Sequence, residues 1–199
     1  MADVLVFNKY TTDGIDVEDP GIKPYIGLDA KVMPKASGRY AGNRFYKSDL
    51  LIVERLINKL MVTGHRKRKH VISSGHQTGK HTKMVKIVEE AFSIVEEKLD
   101  MNPIAVLVKG VEYAAPREEI ITIEYGGARY PKAVECAPQR RVDITLKAMA
   151  QATRKNSFRS KKNAATALAD EMIAAYNKSS NSAAISQKID LERQADSSR

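Results

Sequence analysis

Apolar residues recur at helical spacing along most of the chain, and the pattern predicts a mainly α-helical fold. In the clearest stretch, residues 80–99, one face carries Met84, Val88, Ala91, Phe92, Val95 and Leu99. The pattern predicts a helical bundle of about six helices, over about 48–61, 80–99, 102–115, 138–152, 163–177 and a weaker C-terminal stretch with Ile185, Ile189 and Leu191.

Polar caps, glycine and proline mark the expected helix ends. We expect Ser48 to cap the first helix and Gly64 to follow its end. Asn102 followed by Pro103 is typical of a helix start, and Pro138 is expected to open the fourth helix.

Residues 117–136 depart from the helical pattern and predict a protruding two-stranded β-hairpin. Residues 119–125 are rich in β-branched residues, and residues 129–136 form the returning strand. Between them, Gly126 and Gly127 accept the positive φ angles of a tight turn. Pro131 removes a ladder donor, so its strand cannot lie inside a larger sheet. No other stretch is a convincing strand, so we expect this ribbon to project from the helical body.

The first 38 residues predict an irregular N-terminal arm. Their helical periodicity is broken by Gly14, Pro20, Gly21, Pro24, Gly27, Pro34 and Gly38. Apolar residues such as Tyr25 and Ile26 would allow partial order against a partner. We therefore divide the chain into an arm, 1–38, and a helical domain, 39–199.

The formal net charge is +9 in 199 residues, which indicates a polyanionic partner, with nucleic acid the leading candidate. Residues 1–34 hold six acidic and three basic residues, so the excess of positive charge lies in the rest of the chain. Cys136 is the single cysteine, which excludes an internal disulfide and fits a reducing compartment. No apolar run is long enough to cross a membrane and no signal peptide is recognisable, so we expect a cytoplasmic protein.

Three basic segments are candidates for contact with the polyanion. Residues 39–47 interleave bases with Tyr40, Phe45 and Tyr46, whose rings would either stack on nucleotides or pack on the body. No acidic residue lies between Glu54 and Glu89, and Asp143 is the only one between Glu135 and Asp170. The predicted RNA contacts are Arg39, Arg44, Lys47, Arg66, Lys67, Arg68, Lys69, Lys80, Lys83, Lys86, Arg140, Arg141, Arg154, Lys155, Arg159, Lys161 and Lys162.

No motif argues for catalysis, and we expect no cofactor and no metal. The segment around Gly79 and Lys80 fails the phosphate-loop pattern, with Ser74 and His81 at two of its fixed positions. The four histidines lie among cations and lack cysteine or carboxylate partners for zinc. An NTP-using or RNA-modifying enzyme and a DNA-binding architectural protein remain the alternatives to an RNA-binding protein.

The run EYGGARYPKAVECAPQRRVDITLKAMAQATRK closely resembles the centre of the universal small-subunit ribosomal protein "S seven" family, known as S five in eukaryotes. The similarity extends to NPIAVLVKGVEYAAPREE, SDLLIVERLINKLMVTG, KNAATALADEMIAAY and NSAAISQKIDLER, and so covers about residue 39 to the end. The longer arm and the histidine-rich loop resemble the archaeal and eukaryotic branch.

The resemblance implies a mostly helical protein that binds the 3′ major domain of small-subunit rRNA and nucleates assembly of the subunit head. It implies that Arg140 and Arg141 contact rRNA at a helix N-terminus. It also implies a hairpin near the exit-site tRNA and the mRNA exit path, with the neighbouring proteins S eleven and S nine as partners. The hairpin residues expected near tRNA are Gly126, Gly127, Arg129, Tyr130 and Lys132.

Overall fold

A computed structural model describes residues 4–63, 65–66, 69–70 and 78–199; for residues 65–66 and 69–70 it describes the backbone only. Over these residues the fold has six α-helices and two antiparallel strand pairs. The elements are α1 (Ile52–Leu60), β1 (His65–Arg66), β2 (Lys69–His70), α2 (His81–Leu99), α3 (Pro103–Ala114), β3 (Glu118–Tyr125), β4 (Ala128–Glu135), α4 (Pro138–Ser157), α5 (Ala164–Tyr176) and α6 (Ala183–Asp196). The predicted fold class is confirmed.

Helix α5 lies at the centre of the bundle and packs against α2, α3 and α4. Its buried face is rich in alanine, which lets neighbouring helices approach closely. At Gly110 of α3 an added Cβ would lie 3.4 Å from the Cβ of Ala175. The large side chains of the core include Phe92, Leu107, Leu146, Leu168 and Met172. Among the described residues, no helix is both long and apolar enough to cross a membrane.

The relative directions of the helices bring separate basic segments together. Asn163 donates to Glu90 at 3.1 Å and Lys98 donates to Asp170 at 2.7 Å, so α2 and α5 run parallel. The first nine residues of α2 therefore extend about 13 Å beyond the start of α5. Helix α4 joins α5 through a short connection, residues 158–163, and runs antiparallel to it. The start of α2 and the end of α4 consequently lie at one end of the bundle.

Several predicted helix ends are confirmed. Asn102 is the N-cap of α3, where its Oδ1 accepts from the Ile104 amide at 3.0 Å, and Pro103 is the first residue of the helix. Two caps were not predicted: Asn163 Oδ1 accepts from the Ala164 amide at the start of α5, and the Ser182 hydroxyl accepts from the Ile185 amide at the start of α6. Each cap satisfies an amide that the helix itself leaves without a partner.

Three details of the predicted secondary structure are wrong. Helix α1 begins at Ile52 without a side-chain cap, and Ser48 lies in a preceding 3₁₀ turn, Tyr46–Asp49. Helix α4 continues to Ser157 instead of ending before Thr153. A short ladder, β1 with β2, exists besides the hairpin. It pairs two residues on each side, too few for an alternating pattern to be visible in the sequence.

The predicted hairpin is confirmed as β3 paired with β4, with Gly126 and Gly127 forming the turn at φ angles of 59° and 83°. Its root is attached to the bundle. The Arg117 amide donates to Glu192 of α6 at 3.0 Å, and the Cys136 amide donates to the Arg117 carbonyl at 2.8 Å. From residue 121 to residue 132 every side chain is exposed, so the outer part of the ribbon stands in solvent.

The arm residues from 4 to 38 pack on the chain's own helices. Val6, Val17, Ile22 and Ile26 are buried within the single core cluster. The Tyr10 hydroxyl donates to Glu96 of α2 at 3.0 Å. These four apolar side chains of the arm are thus covered without a partner molecule, whereas Val4, Val32 and Met33 are exposed. The division of the chain at residue 38 stays a prediction.

Candidate nucleic-acid interface

Exposed cations collect at the end of the bundle where α2 begins and α4 joins α5. They are Lys80, Lys83, Lys86, Lys155, Arg159 and Lys161, and together we call them the loop patch. None of the six forms an ion pair within the described part of the chain. The two predicted basic segments to which they belong are far apart in sequence, and the fold brings them to the same end.

Two other predicted contacts at this end, Arg154 and Lys162, are engaged with neighbouring side chains, and so is Arg159 of the loop patch. The guanidinium groups of Arg154 and Arg159 lie 4.5 Å and 5.3 Å from the centroid of the Phe158 ring. Lys162 forms an ion pair with Asp170, which also binds Lys98. Burial alone would raise the pKa of Asp170, but hydrogen bonds from Lys162 and Lys98 and their charges outweigh it and lower that pKa. The group formed by Asp170, Lys162 and Lys98 therefore keeps a net positive charge.

At the opposite end of α4, a half-buried carboxylate organises three cations. Asp143 forms ion pairs with Lys47, Arg55 and Lys59; its distances to the latter two are both 3.4 Å. Burial alone would raise the pKa of Asp143, but the hydrogen bond from Lys47 and the charges of all three cations lower it. Arg55 is itself buried and also donates to the Tyr25 carbonyl at 2.5 Å. The cluster joins α1, α4 and the segment before α1.

The two neighbouring arginines at the start of α4 differ sharply. Arg140 is exposed and its Nε binds both carboxylate oxygens of Glu119, at 2.6 Å and 2.8 Å. Arg141 is buried, donates to the Pro116 carbonyl at 3.1 Å and pairs with Asp19 at 2.8 Å. Arg141 therefore connects the arm to the hairpin root, and its side chain is not part of the exposed basic surface. The burial of this side chain argues against the predicted RNA contact of Arg141, which stays a prediction.

Residues 39–49, which we call the turn segment, contain two 3₁₀ turns, Arg39–Gly42 and Tyr46–Asp49, and bind to α4. Gln139 of α4 donates to the Arg44 carbonyl at 3.2 Å and to the Ser48 hydroxyl at 3.0 Å. Ser48 thus has a tertiary role in place of the predicted capping role. From the sequence, the aromatic rings of this segment would either stack on nucleotides or pack on the body of the protein. The Phe45 and Tyr46 side chains are 54% and 52% exposed, so neither ring is packed into the body.

The hairpin has two chemically different faces, because residues opposite each other in the ladder share a face. One face carries Ile121, Ile123, Tyr125, Tyr130 and Lys132. The other carries Arg129, which pairs with Glu124 across the ladder at 3.6 Å. Of the two predicted tip cations, only Lys132 lacks an acidic partner among the described residues.

Some of the predicted RNA contacts and histidines lie outside the part of the chain that the structure describes. Lys67 and Arg68 lie outside the described residues, as does His76. For Arg66, Lys69, His65 and His70 only the backbone is described. Over the rest of the chain, no group of three histidine, cysteine or acidic side chains could hold a metal ion.

Cys136 is a buried thiol at the end of β4. Burial raises its pKa to about 11, and the charge of Glu119 acts in the same direction. The nearby Arg140 and Arg141 lower the pKa, but by less. The thiol therefore stays protonated near neutral pH, which argues against a nucleophilic role.

Sequence reasoning missed the structural cations. Arg55 lies in a helix in which seven of nine residues are buried, so a charged residue there requires an internal partner. That partner, Asp143, is the only acidic residue in a long basic stretch. A lone acid among cations on an amphipathic helix is the signal that would have indicated this cluster.

Comparison with known proteins identifies the family of the chain. Residues 23–199 match the family model described as ribosomal protein S7p/S5e. The chain is similar to the small ribosomal subunit protein uS7 of Nanoarchaeum equitans, at 45% identity over 194 residues, covering 98% of each chain. It is also similar to uS7 of Archaeoglobus fulgidus, at 45% identity over 99% of this chain and 96% of that one. The uS7 protein of Methanococcoides burtonii is 41% identical over 98% of each chain.

The resemblance noted in the sequence is thus confirmed over nearly the whole length, and the relatives come from archaea, in line with the predicted branch. The chain belongs to the S7p/S5e family of small-subunit ribosomal proteins.

Proposed function

We propose that this protein binds the 3′ major domain of small-subunit rRNA and nucleates assembly of the subunit head. The observation that supports this most is the loop patch, six exposed cations without acidic partners among the described residues. Concentrated charge of one sign repels itself unless a polyanion neutralises it. A-form RNA is recognised mainly through its shape and its backbone, which matches a patch of lysine and arginine.

The proposed assignment is structural and not catalytic, as the S7p/S5e family is a ribosomal one. We place the protein in the cytoplasm within the small subunit, in contact with rRNA and with neighbouring proteins. The segment around Lys80 supplies phosphate contacts in this proposal and has no role in nucleotide hydrolysis.

Binding to a transcript of the 3′ major domain tests the rRNA assignment. The test variant is Lys155→Gln, Arg159→Gln and Lys161→Gln together. The matched control is Lys23→Gln, Lys31→Gln and Arg193→Gln, three exposed cations outside the basic segments, which removes the same net charge. The logarithm of the affinity falls as the logarithm of the salt concentration rises, and each phosphate contact contributes about 0.7 to 0.9 to the steepness of that fall. Loss of three contacts should therefore reduce the steepness by about two to three.

The control should keep the wild-type slope and nearly the wild-type affinity. Equal losses in both variants would show that the net charge of the protein, and not the loop patch, determines binding. Tight binding of a duplex DNA competitor at equal salt would favour the architectural alternative.

For the hairpin, we propose a position near the exit-site tRNA and the mRNA exit path, beside S eleven and with S nine nearby. Two features support this. The ribbon is exposed from residue 121 to residue 132, and its root is hydrogen-bonded to α6. Such a ribbon can hold Gly126, Gly127, Arg129, Tyr130 and Lys132 at a distance from the bundle without contributing to the primary rRNA site.

A register-preserving truncation separates the two roles. Deletion of residues 122–125 and 128–131 retains the Gly126–Gly127 turn and leaves Ile121 opposite Lys132. We expect rRNA affinity within about twofold of wild type, together with weaker retention of exit-site tRNA or reduced reading-frame fidelity in reconstituted subunits. Loss of rRNA binding would instead make the ribbon part of the primary site.

A further inference from the structure

We infer that Phe45 and Tyr46 form a stacking platform for unpaired nucleobases of the bound RNA. This inference deepens the proposed function and rests on it, since it names the part of the RNA that the turn segment contacts. Exposed aromatic rings stack on any base, because every base has a π face. Bases inside an A-form duplex are already stacked, so the ligand must be a loop, a bulge or a strand end.

The two rings are exposed while the backbone that carries them is held in place by hydrogen bonds. The hydrogen bonds from Gln139 hold the turn segment at the Arg44 carbonyl and the Ser48 hydroxyl. Within the segment, the Phe45 amide donates to Asn43 Oδ1 at 3.2 Å, and the Ser48 amide donates to the Phe45 carbonyl at 2.9 Å. Two adjacent rings are therefore presented to solvent by a segment anchored on both sides of them. Preorganisation of this kind lowers the entropic cost of binding.

The charge around the rings favours RNA as the occupant. No acidic residue occurs between Asp29 and Asp49, a span that includes Arg39, Arg44 and Lys47. The Arg44 guanidinium lies 5.8 Å from the centroid of the Phe45 ring. Arg39 and Arg44 are exposed and have no acidic partner among the residues described. Cations beside a ring let one nucleotide be held both by its base and by its phosphate.

Phe158 in the connection between α4 and α5 provides a contrast. Guanidinium groups of Arg154 and Arg159 lie close to its ring, and its exposure is 37%. Its ring is therefore less available than those of Phe45 and Tyr46. The two basic ends of α4 thus differ in kind: one offers rings and cations, and the other offers mainly cations.

The double variant Phe45→Leu and Tyr46→Leu tests the platform, because leucine keeps apolar bulk and removes the π surface. A matched control is Tyr125→Leu on the hairpin, where the residue is 81% exposed. Affinity for the 3′ major domain transcript is measured over a series of salt concentrations. We expect the platform variant to bind at least about tenfold more weakly at every salt concentration, with the salt slope unchanged, because stacking releases no counterions.

Four further results complete the test. The control should bind within about twofold of wild type, and Tyr46→Phe should retain affinity because it keeps the ring. Ultraviolet cross-linking followed by mass spectrometry should attach a nucleotide to Phe45 or Tyr46. Equal thermal unfolding of wild type, the platform variant and Tyr125→Leu excludes misfolding as the cause of weaker binding.

The outcomes distinguish this inference from the proposed function. If wild type does not bind the transcript, or if the loop-patch variant binds like wild type, the proposed function fails. If the loop-patch variant weakens binding while Phe45→Leu and Tyr46→Leu do not, the platform alone is overturned. If the platform variant binds rRNA normally but is not incorporated into reconstituted subunits, the rings dock a neighbouring protein, which also overturns it.

Discussion

The two ends of α4 carry similar numbers of cations but use them differently. At its N-terminal end, Arg141 pairs with Asp19, and Asp143 binds Lys47, Arg55 and Lys59. At its C-terminal end, about 30 Å away, the exposed cations of the loop patch pair with no acid in the described part of the chain. These paired cations at the first end hold elements together, whereas the loop patch, without acidic partners in the described part of the chain, is available to a polyanion.

Arg140 and Arg141 show that this difference operates even between neighbours. Successive residues of a helix point about 100° apart, so one guanidinium faces the hairpin surface and the other faces the joint between the arm and Pro116. A run of basic residues is thus a mixture of structural and binding side chains. Their accessibility and acidic partners, and not their spacing, decide which is which.

The largest expected effect on stability is that of Arg141→Gln. The change leaves Asp19 without its partner and the Pro116 carbonyl without its donor, at a site where Arg141 is buried. We expect the free energy of unfolding to fall by about 2–3 kcal/mol, as for loss of a charged hydrogen-bond partner in a partly buried pair. Urea denaturation measures the change.

Arg140→Gln is the matched control, because Arg140 is exposed and its pair with Glu119 is solvent-screened. Its loss should cost at most about 1 kcal/mol. Equal costs for the two variants would contradict the division between the neighbours.

A smaller effect is expected for Asp143→Asn, which removes the charge that joins α1, α4 and the turn segment. We expect a loss of about 1–2 kcal/mol at pH 7, since the carboxylate is half-buried and its cations are partly exposed. Asp170→Asn, at a more exposed carboxylate, should cost less than about 1 kcal/mol.

The pH dependence of unfolding gives this prediction a second readout. The folded-state pKa of Asp143 lies below its unfolded value of about 3.9. Its stabilising contribution is therefore fully present above that value and is lost as the pH falls through the folded-state pKa. Asp143→Asn should flatten the acid limb of the stability profile below about pH 4. An unchanged acid limb would show that other carboxylates determine it.

The smallest effect on folding is expected for the loop-patch variant, Lys155→Gln with Arg159→Gln and Lys161→Gln. These side chains form no ion pairs with described residues, so the free energy of unfolding should change by less than about 0.5 kcal/mol. The same variant is expected to lose rRNA affinity. A loss of stability comparable to that of Arg141→Gln would show that the loop patch has a structural role.

Local features of the sequence were sufficient for much of the fold. The apolar face from Met84 to Val95 predicted α2, and Asn102 with Pro103 predicted the start of α3, because periodicity and capping act within a few residues. Gly126 and Gly127 predicted the hairpin turn for the same reason. Ser48 misled, because a serine before an apolar run is equally suited to capping a helix and to binding Gln139, 91 positions away.

The candidate interface was predicted as a set of basic segments and not as a surface. The lysines of α2 and the cations after α4 belong together only because α2 runs parallel to α5 and α4 runs antiparallel to it. The exposure of Phe45 and Tyr46 likewise depends on the hydrogen bonds from Gln139 to the turn segment. No local pattern encodes such pairings.

The sequence by itself determined the helical class, the hairpin, the excess of positive charge and the family, because these depend on composition, periodicity and contiguous motifs. Only the tertiary structure decided that Arg141 and Arg55 stabilise the fold and that the loop patch is free. It also decided that the arm packs on the helices. The physical reason is that burial and ion pairing depend on distances between residues such as Asp19 and Arg141, which are 122 positions apart in the chain.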